Sequence, residues 1–395
     1  MAHIQRKCSG CRRSIPEGSR SCPKCGGRGA SWVARYRGPD GRERSKTFDR
    51  KTDAERFLTA TESAKLRGEW VDPQQSRTRF RDWATKVEAG RVGRRASTIA
   101  RDESVMRSLV LPTFGTLPLG AIEPDTVRAW IAEKTAAGYA PATVHKAYQL
   151  LAGTLEQAVV DGFIPRSPCR GLGLPRLEQE PMRFLSAAEI GSLADAIGPR
   201  YRALVLAAGY TGLRFGELAA LRVARLDLLR RSVRVEETLN EVRGRLLLGQ
   251  PKTKASRRTV SLPAPLVDVL AEHLAANPAS DEGLVFTSPE GAPLRRNTFR
   301  RRVWVPAVRA SVGEPCRFHD LRHSHAALLI DKNVHPKVLQ ERLGHVSIRT
   351  TLDVYGHLFK GLDEAAAEDL DAAFRVSSAG PARDQRGTTV VALRR

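Results

Sequence analysis

The stretch from His319 to Tyr355 limits what this chain can fold into more than any other. It reads His319-Asp-Leu-Arg322-His-Ser-His, then an apolar run, then Leu343-Gly-His345, and finally Tyr355-Gly-His357. His319 and Arg322 are three apart, so on a helix they project from one face. Ala326 to Ile330 is apolar enough to bury the opposite face. Gly344 ends the next helix and sets His345 on a turn. Ser347 to Leu352 then opens another helix that carries Tyr355 about two turns on. Neighbouring short helices thus bring cationic, imidazole and phenol groups to one place. In-line attack on a phosphodiester needs such a set: a nucleophilic oxygen, positive charge for the developing phosphorane oxygens, and proton carriers. Any one of these residues by itself would read as part of a surface helix with satisfied histidines.

A second box upstream, Gly209-Tyr-Thr-Gly-Leu-Arg214-Phe-Gly-Glu217-Leu, breaks that tie. Arginine box, lysine hairpin, H-x-x-R, L-G-H and terminal tyrosine follow one another in the chain. In that order they resemble the catalytic signature of the tyrosine site-specific recombinases, the phage integrase family. The resemblance runs over roughly residues 180 to 362 and is weaker upstream.

The net charge of +22 and pI near 10.4 call for a polyanionic partner, and the basic residues are spread through folded-looking segments, which suits nucleic acid better than membrane. No stretch approaches the ~20 apolar residues of a spanning helix, and the N-terminus has no signal-peptide core, so a cytoplasmic location is expected. A chain of 395 residues has room for two to three domains.

The expected architecture is multidomain α+β. Residues 1–27 form a zinc-ribbon-like segment: Cys8-x-x-Cys11 and Cys22-x-x-Cys25 give four thiolates able to close tetrahedrally on zinc. A segment this short cannot fold without a staple, and disulfides do not suit a reducing cytoplasm. Residues 28–72 resemble the arm-type DNA-binding domain of integrases, a small three-stranded sheet plus a helix. Ser31 to Arg37 alternates, Gly38-Pro-Asp-Gly41 turns, and Arg42 to Phe48 returns. Period two puts Trp32, Ala34 and Tyr36 on one face and Val33, Arg35 and Arg37 on the other. Thr52-Asp-Ala-Glu55 reads as a capping box, followed by the stripe Ala54, Phe57, Leu58 and Thr61. Residues 1–72 hold 17 Lys and Arg against 9 Asp and Glu, a local charge of +8, and Arg35, Arg37 and Lys46 are the candidate DNA contacts.

Residues 77–164 read as helices near 80–89, 97–111, 124–137 and 141–161, similar to the family's core-binding domain, with Arg94, Arg95, Thr98 and Lys146 as candidate phosphate contacts. The proline-rich run 165–181 reads as an extended linker that lets two domains close around a duplex. Residues 182–376 form a mainly helical catalytic domain with a small antiparallel sheet. It opens on the capping box Ser186 to Glu189, with β-strands over Ser232 to Glu237 and Leu246 to Leu262 around a turn at Pro251-Lys-Thr-Lys254. Residues 377–395 read as a disordered tail. Cys169 and Cys316 are isolated and read as packing residues.

The resemblance implies the chemistry. Tyr355 is the nucleophile that forms a 3′-phosphotyrosyl ester. Arg214 and Arg322 fork onto non-bridging oxygens as lysine cannot, His345 adds a third donor, and His319 assists or positions the tyrosine. Glu217 fixes the Arg214 guanidinium. The general acid is a hairpin lysine, and Lys252 fits the position better than Lys254. Catalysis is expected to need no metal or other cofactor, and there is no phosphate-binding G-x-x-x-x-G-K-[ST] motif. Val260-Ser261-Leu262 replaces the family's valine-proline-leucine, a departure expected to alter only turn rigidity.

The resemblance further implies double-stranded DNA partners at core and arm sites and a homotetramer exchanging strands through a Holliday junction. It also allows for a directionality factor. The helix Asp363 to Phe374, with Leu362, Ala366, Leu370, Ala373 and Phe374 along one stripe, docks either on a neighbouring protomer or on its own domain. Two rival readings are a type IB topoisomerase-like relaxation enzyme and a catalytically silent DNA-binding regulator. The N-terminal modules argue against the first, and the filled catalytic positions against the second.

Overall fold

The computed structural model describes residues 2–38, 41–67, 70–177, 182–251, 254–279, 282–313 and 315–359, with isolated positions between 367 and 375. The chain divides into two compact units, Met1–Gln179 and Glu180–Arg395.

The first unit opens on an antiparallel sheet of β1 (His3–Cys8), β2 (Ala30–Arg37) and β3 (Glu43–Phe48), in that order. Helix α1 (Lys51–Leu66) covers one face, with the Phe57 ring 5.5 Å from Tyr36 and 5.3 Å from Phe48. Along α1 the expected stripe turns inward: Ala54 and Thr61 are buried, Phe57 and Leu58 half-buried. The capping box at Thr52 does not form. Only two residues separate β3 from α1, so the chain enters the helix at once, at Lys51, with Arg50 at the N-cap and no side-chain cap.

Two further expectations change here. The boundary at residues 27 and 28 is not a structural break, because β1 pairs with β2 along its length, from His3 opposite Arg35 to Cys8 opposite Ala30. The cysteine-bearing segment therefore supplies the third strand of the sheet. Register also moves Lys46, which lies opposite Ala34 on the helix-covered face, its ammonium 5.0 Å from the Phe57 ring centroid. Arg35 and Arg37 lie on the opposite face, Arg35 between His3 and Ser45 across the strands and Arg37 opposite Glu43.

Helices α2 (Phe80–Gly90), α3 (Ala96–Val105), α4 (Leu111–Phe114), α5 (Pro124–Ala136) and α6 (Pro141–Val160) follow. A π turn at Met106–Val110 joins α3 to α4, where Pro112 has no N–H to give the preceding turn. The core is aromatic and leucine-rich: Phe80, Trp83, Phe114, Trp130, Leu151 and Leu155 are buried. Both indole N–H groups are satisfied, Trp83 by the Thr154 carbonyl at 2.9 Å and Trp130 by that of Leu109 at 3.0 Å. The expected linker is packed rather than free over its first part. Cys169 is buried in this core, the Tyr148 hydroxyl donates to the Cys169 carbonyl, and His145 donates to that of Pro175.

The second unit starts at α7 (Ala187–Ala196), where the Ser186–Glu189 capping box forms with both bonds made. Then come α8 (Pro199–Thr211) and α9 (Phe215–Ala219), and strands β4 (Leu226–Asp227), β5 (Ser232–Val235), β6 (Thr238–Val242), β7 (Arg245–Gly249) and β8 (Arg258–Ser261). The strands expected on either side of the turn at Pro251–Lys254 are there, as β7 and β8, but they lie in different sheets and do not pair with each other. β6 and β7 form a separate hairpin around Arg243 and Gly244, both at positive φ, while β8 pairs with β5. Helices α10 (Ala264–Ala276), α11 (Arg296–Phe299), α12 (Val305–Ala310), α13 (Asp320–Asp331), α14 (Pro336–Leu343) and α15 (Ile348–Tyr355) complete the unit.

Most of the helix expected over Asp363 to Phe374 lies outside the described residues, as does the tail. Of its stripe, Leu370 and Phe374 are described, helical and exposed. Among the described residues no helix is long and apolar enough to cross a membrane.

Candidate active site

Arg322 ties the site together. It sits in the first turn of α13, 2% exposed, and its two terminal nitrogens donate to the carbonyls of Gly212 at 2.6 Å and Leu343 at 2.5 Å. Those carbonyls belong to two left-handed glycine turns, at Gly212 after α8 and Gly344 after α14. Arg214 is two residues past Gly212, and His345 directly follows Gly344. One buried guanidinium thus fixes the positions of both boxes. Each turn needs glycine for space as well: a Cβ at Gly212 would lie 2.6 Å from the His325 ring, and one at Gly344 3.0 Å from the Ala255 carbonyl.

Glu217 is the carboxylate that joins Arg214 to Arg258 in this cluster. It is buried and accepts from Arg214 at 2.8 Å and from both terminal nitrogens of Arg258 on β8, at 3.3 and 3.0 Å. Burial alone would raise its pKa, yet the guanidiniums of Arg258 and Arg214 hold the carboxyl below its usual range. The Arg214 side chain is 38% exposed, so one end of its fork is anchored and the other faces solvent. Burial first, then the like charge of Arg214, pulls Arg322 down to about 9. Cations outnumber carboxylates here, and a bound anion would relieve the imbalance.

Tyr355, at the end of α15, is 1% exposed, its ring among Ala326, Ile330, Leu339 and Leu343. Burial raises its phenol pKa, and Arg322 and Arg214 oppose that rise. The imidazole that meets the phenol is His323, with Nδ1 2.9 Å from the hydroxyl. His319 is instead the exposed N-cap of α13, edge-on to His323 with ring centroids 4.8 Å apart. Desolvation, followed by His323, Arg322 and Arg214, pushes His319 down to about 4. His345 is also pushed to about 4, by burial and then by Arg322 and Arg214. Thr351 Oγ1 lies 2.9 Å from His345 Nδ1; donating there, it would leave Nε2–H free to donate outward.

The sequence reading passed over Arg258, His323 and Arg342. Arg342 reaches His325 Nε2 at 3.1 Å and the Tyr210 and Ser261 carbonyls at 3.3 and 2.9 Å, pinning α14 to α8 and β8. For His323 a signal existed, since it is four residues after His319 and shares its helix face. For Arg258 and Arg342 there was none beyond charge. Lys252 lies outside the described residues. Lys254 opens the short helical turn Lys254–Ser256, and the backbone of that turn approaches Gly344.

In the first unit the Sγ atoms of Cys8, Cys11, Cys22 and Cys25 lie within 4.8 Å of one another, and none is in a disulfide. The spacing suits a tetrahedral zinc, whose ~2.3 Å bonds separate sulfurs by about 3.8 Å. The backbone N–H groups of Lys24 and Cys25 draw the Cys22 thiol down to about 6. Cys25, despite the Gly27 amide, is pushed up to about 11 by the other three sulfurs. Four thiolates cannot share this space without a cation. Of the DNA-contact candidates, Arg94 and Lys146 both pair with the buried Asp102, Lys146 at 2.9 Å, while Arg95 is exposed and Thr98 half-buried. Arg35 is paired with Glu43 at 2.5 Å and Arg37 is exposed.

Residues 178–361 match the phage integrase family, and residues 28–68 match the phage integrase N-terminal domain. The putative prophage phiRv2 integrase of Mycobacterium tuberculosis is 32% identical over 347 residues, which is 85% of this chain and 91% of that protein. Among solved structures, the Tn1549 transposon integrase in complex with circular intermediate DNA shares the fold at a TM-score of 0.66 and 20% identity, over 74% of this chain and 100% of that one. A lambda integrase dimer bound to a COC′ core site does so at 0.57 and 19%, over 87% of this chain and 95% of that one. With its arginine, H-x-x-R and tyrosine boxes folded into one cluster, the chain belongs to the phage integrase family of tyrosine recombinases.

Proposed function

We propose that this chain is the site-specific integrase of a phage or mobile element and that Tyr355 is its nucleophile. The observation that carries the reading is the convergence of Arg214, Arg258 and Arg322 over one carboxylate, beside a buried tyrosine whose hydroxyl meets an imidazole. The phenolic oxygen attacks the scissile phosphate, forms a 3′-phosphotyrosyl ester and releases a 5′-hydroxyl. A 5′-hydroxyl from the partner strand then reverses the step, so the ester conserves the bond energy. Arg214 and Arg322 donate to the non-bridging oxygens, and His345 adds its Nε2–H. Lys252, or Lys254 beside it, protonates the leaving oxygen.

The DNA partner is double-stranded. The lambda and Tn1549 integrases are seen on DNA, and this chain's charge of +22 suits the same partner. Residues 77–362 take the crossover core, residues 1–72 take arm sites through Arg35 and Arg37, and four cysteines hold a structural zinc. The working assembly is a tetramer on two duplexes, with a directionality factor biasing the outcome. The protein works in the cytoplasm.

The test is a nicked duplex carrying the element's own junction sequence. The parent chain should give a protein–DNA band that survives denaturation. Tyr355→Phe, which removes one oxygen and keeps the binding surface, should bind the duplex and give no band. An equal band from the phenylalanine variant would remove Tyr355 from the role.

A further inference from the structure

The phenol of a buried tyrosine must lose its proton to become a nucleophile, and the Tyr355 ring packs among the apolar side chains of Ala326, Ile330, Leu339 and Leu343. Its hydroxyl meets one polar side chain among those described, His323, whose Nδ1 is 2.9 Å away. His323 lies one turn past His319 on α13, half-buried, its ring 5.8 Å from the Tyr355 ring. His319 stands outside it, exposed at the helix start, and presents its ring to His323 rather than to the tyrosine. The charged and titratable groups around His323 are Asp320 and Arg322 on its own helix, Arg317 before it, His319, Tyr355 of α15 and His345. Asp320 is occupied, because its carboxylate accepts from Arg317 at 2.9 Å. That carboxylate is therefore engaged elsewhere, and burial first, then Arg317 and Arg322 against the opposing pull of Asp320, favours a neutral imidazole whose lone pair can take the phenolic proton.

We propose that His323 is a catalytic residue and the acceptor of the Tyr355 proton, which leaves His319 to face the phosphate. The inference rests on Tyr355 being the nucleophile. In the step, the Tyr355 oxygen–phosphorus bond forms and the bond from phosphorus to the 5′-oxygen breaks. The phenolic proton passes to His323 Nδ1, and the hairpin lysine gives a proton to the leaving oxygen. On rejoining, the incoming 5′-hydroxyl gives its proton to the same lysine as its oxygen bonds to phosphorus, the tyrosyl oxygen–phosphorus bond breaks, and His323 returns its proton to the phenol. General-base removal fits the ~10²–10⁴ range found for such groups.

The experiment uses the full chain on the nicked junction duplex under single turnover. His323→Ala should slow covalent-band formation by ~10²–10⁴ at neutral pH. A fluorinated tyrosine placed at 355 ionises near neutral pH and needs no acceptor, so most of that deficit should vanish when His323→Ala carries it. His323→Asn keeps a hydrogen-bond partner for the phenol but cannot take a proton. It should remain slow while retaining the parent's melting temperature and DNA binding, which separates chemistry from folding. Three results would each overturn the proposal: a parent-like rate in His323→Ala, an undiminished deficit with the fluorinated tyrosine, or recovery in His323→Asn. Rescue of His319→Ala and not of His323→Ala by the fluorinated residue would move the role to His319. No band from the parent chain would instead sink the nucleophile assignment, a distinct failure.

Discussion

Arg214 and Arg322 are both arginines of the signature, yet their surroundings give them different vulnerabilities. The Arg322 guanidinium is buried and holds two backbone carbonyls, whereas Arg214 leans on Glu217 with part of its side chain in solvent. Lysine keeps the charge at either position and the fork at neither. Each lysine variant should cleave ~10²–10³ slower, the usual cost of one lost oxyanion donor. Arg322→Lys should in addition lower unfolding free energy by about 1–3 kcal/mol, because buried carbonyls lose partners. Urea midpoints of the two variants check this, and equal midpoints would contradict the fastening role. The buried histidines carry a pH signature. Burial and Arg342 push His325 down to about 3, and burial and nearby cations push His345 to about 4, against 6.5 in the unfolded chain. Below 6.5 the unfolded chain takes protons that the fold refuses. Stability present above pH 6.5 is therefore lost as pH falls, at about 1.4 kcal/mol per unit for each such group. Between pH 6.5 and 5, before carboxylates titrate, the urea midpoint should drop; a flat midpoint would mean these imidazoles charge within the fold.

Strand β1 links two segments that composition separates. It begins as an edge strand beside the basic hairpin and ends at Cys8, one of the four clustered thiols. Apart from its cysteines, the segment before β2 buries one large apolar side chain among its described residues, Ile15, too little to hold itself together. If the four thiols hold the proposed zinc, its removal should release β1 and expose the sheet edge, not only loosen a peripheral loop. Hydrogen exchange on chelation, or in Cys8→Ser with Cys22→Ser, should show loss of protection in β2 as well as in the cysteine loops. Protection in β2 that survives metal loss would show that the sheet stands without the ribbon. A similar economy appears at Gly344, where one left-handed residue ends α14 and makes room for the Ala255 carbonyl. The L-G-H box is thus a statement about backbone packing as much as about His345.

At the scale of the whole chain, positive charge is distributed, with +8 in residues 1–72 out of +22 in total. If the N-terminal sheet and the core-binding and catalytic portion hold different duplex segments, tethering can raise avidity by ~10²–10⁴ without new contacts. Deleting residues 1–72 should leave cleavage of a core-only oligonucleotide intact and collapse recombination between full attachment sites. A truncated protein that recombines full sites as well as the parent would make the basic face of β2 a solvated surface.

The sequence by itself determined the boxes, their order and most helix boundaries, because caps, glycines and apolar periodicity are local. Ser186, Gly344 and Ser347 each act within a turn of where they stand, and each end falls where expected. Strand pairing was not legible, because it is non-local: nothing within Leu246 to Leu262 says that the strands on either side of its turn join different sheets, and nothing near Lys46 says which face α1 will cover. Likewise the motif named His319 and left His323 unmarked, although helical spacing puts both on one face. Only the packing of α15 against α13 decides which imidazole a phenol 32 residues away will touch, since that distance depends on how helices dock rather than on how each one forms.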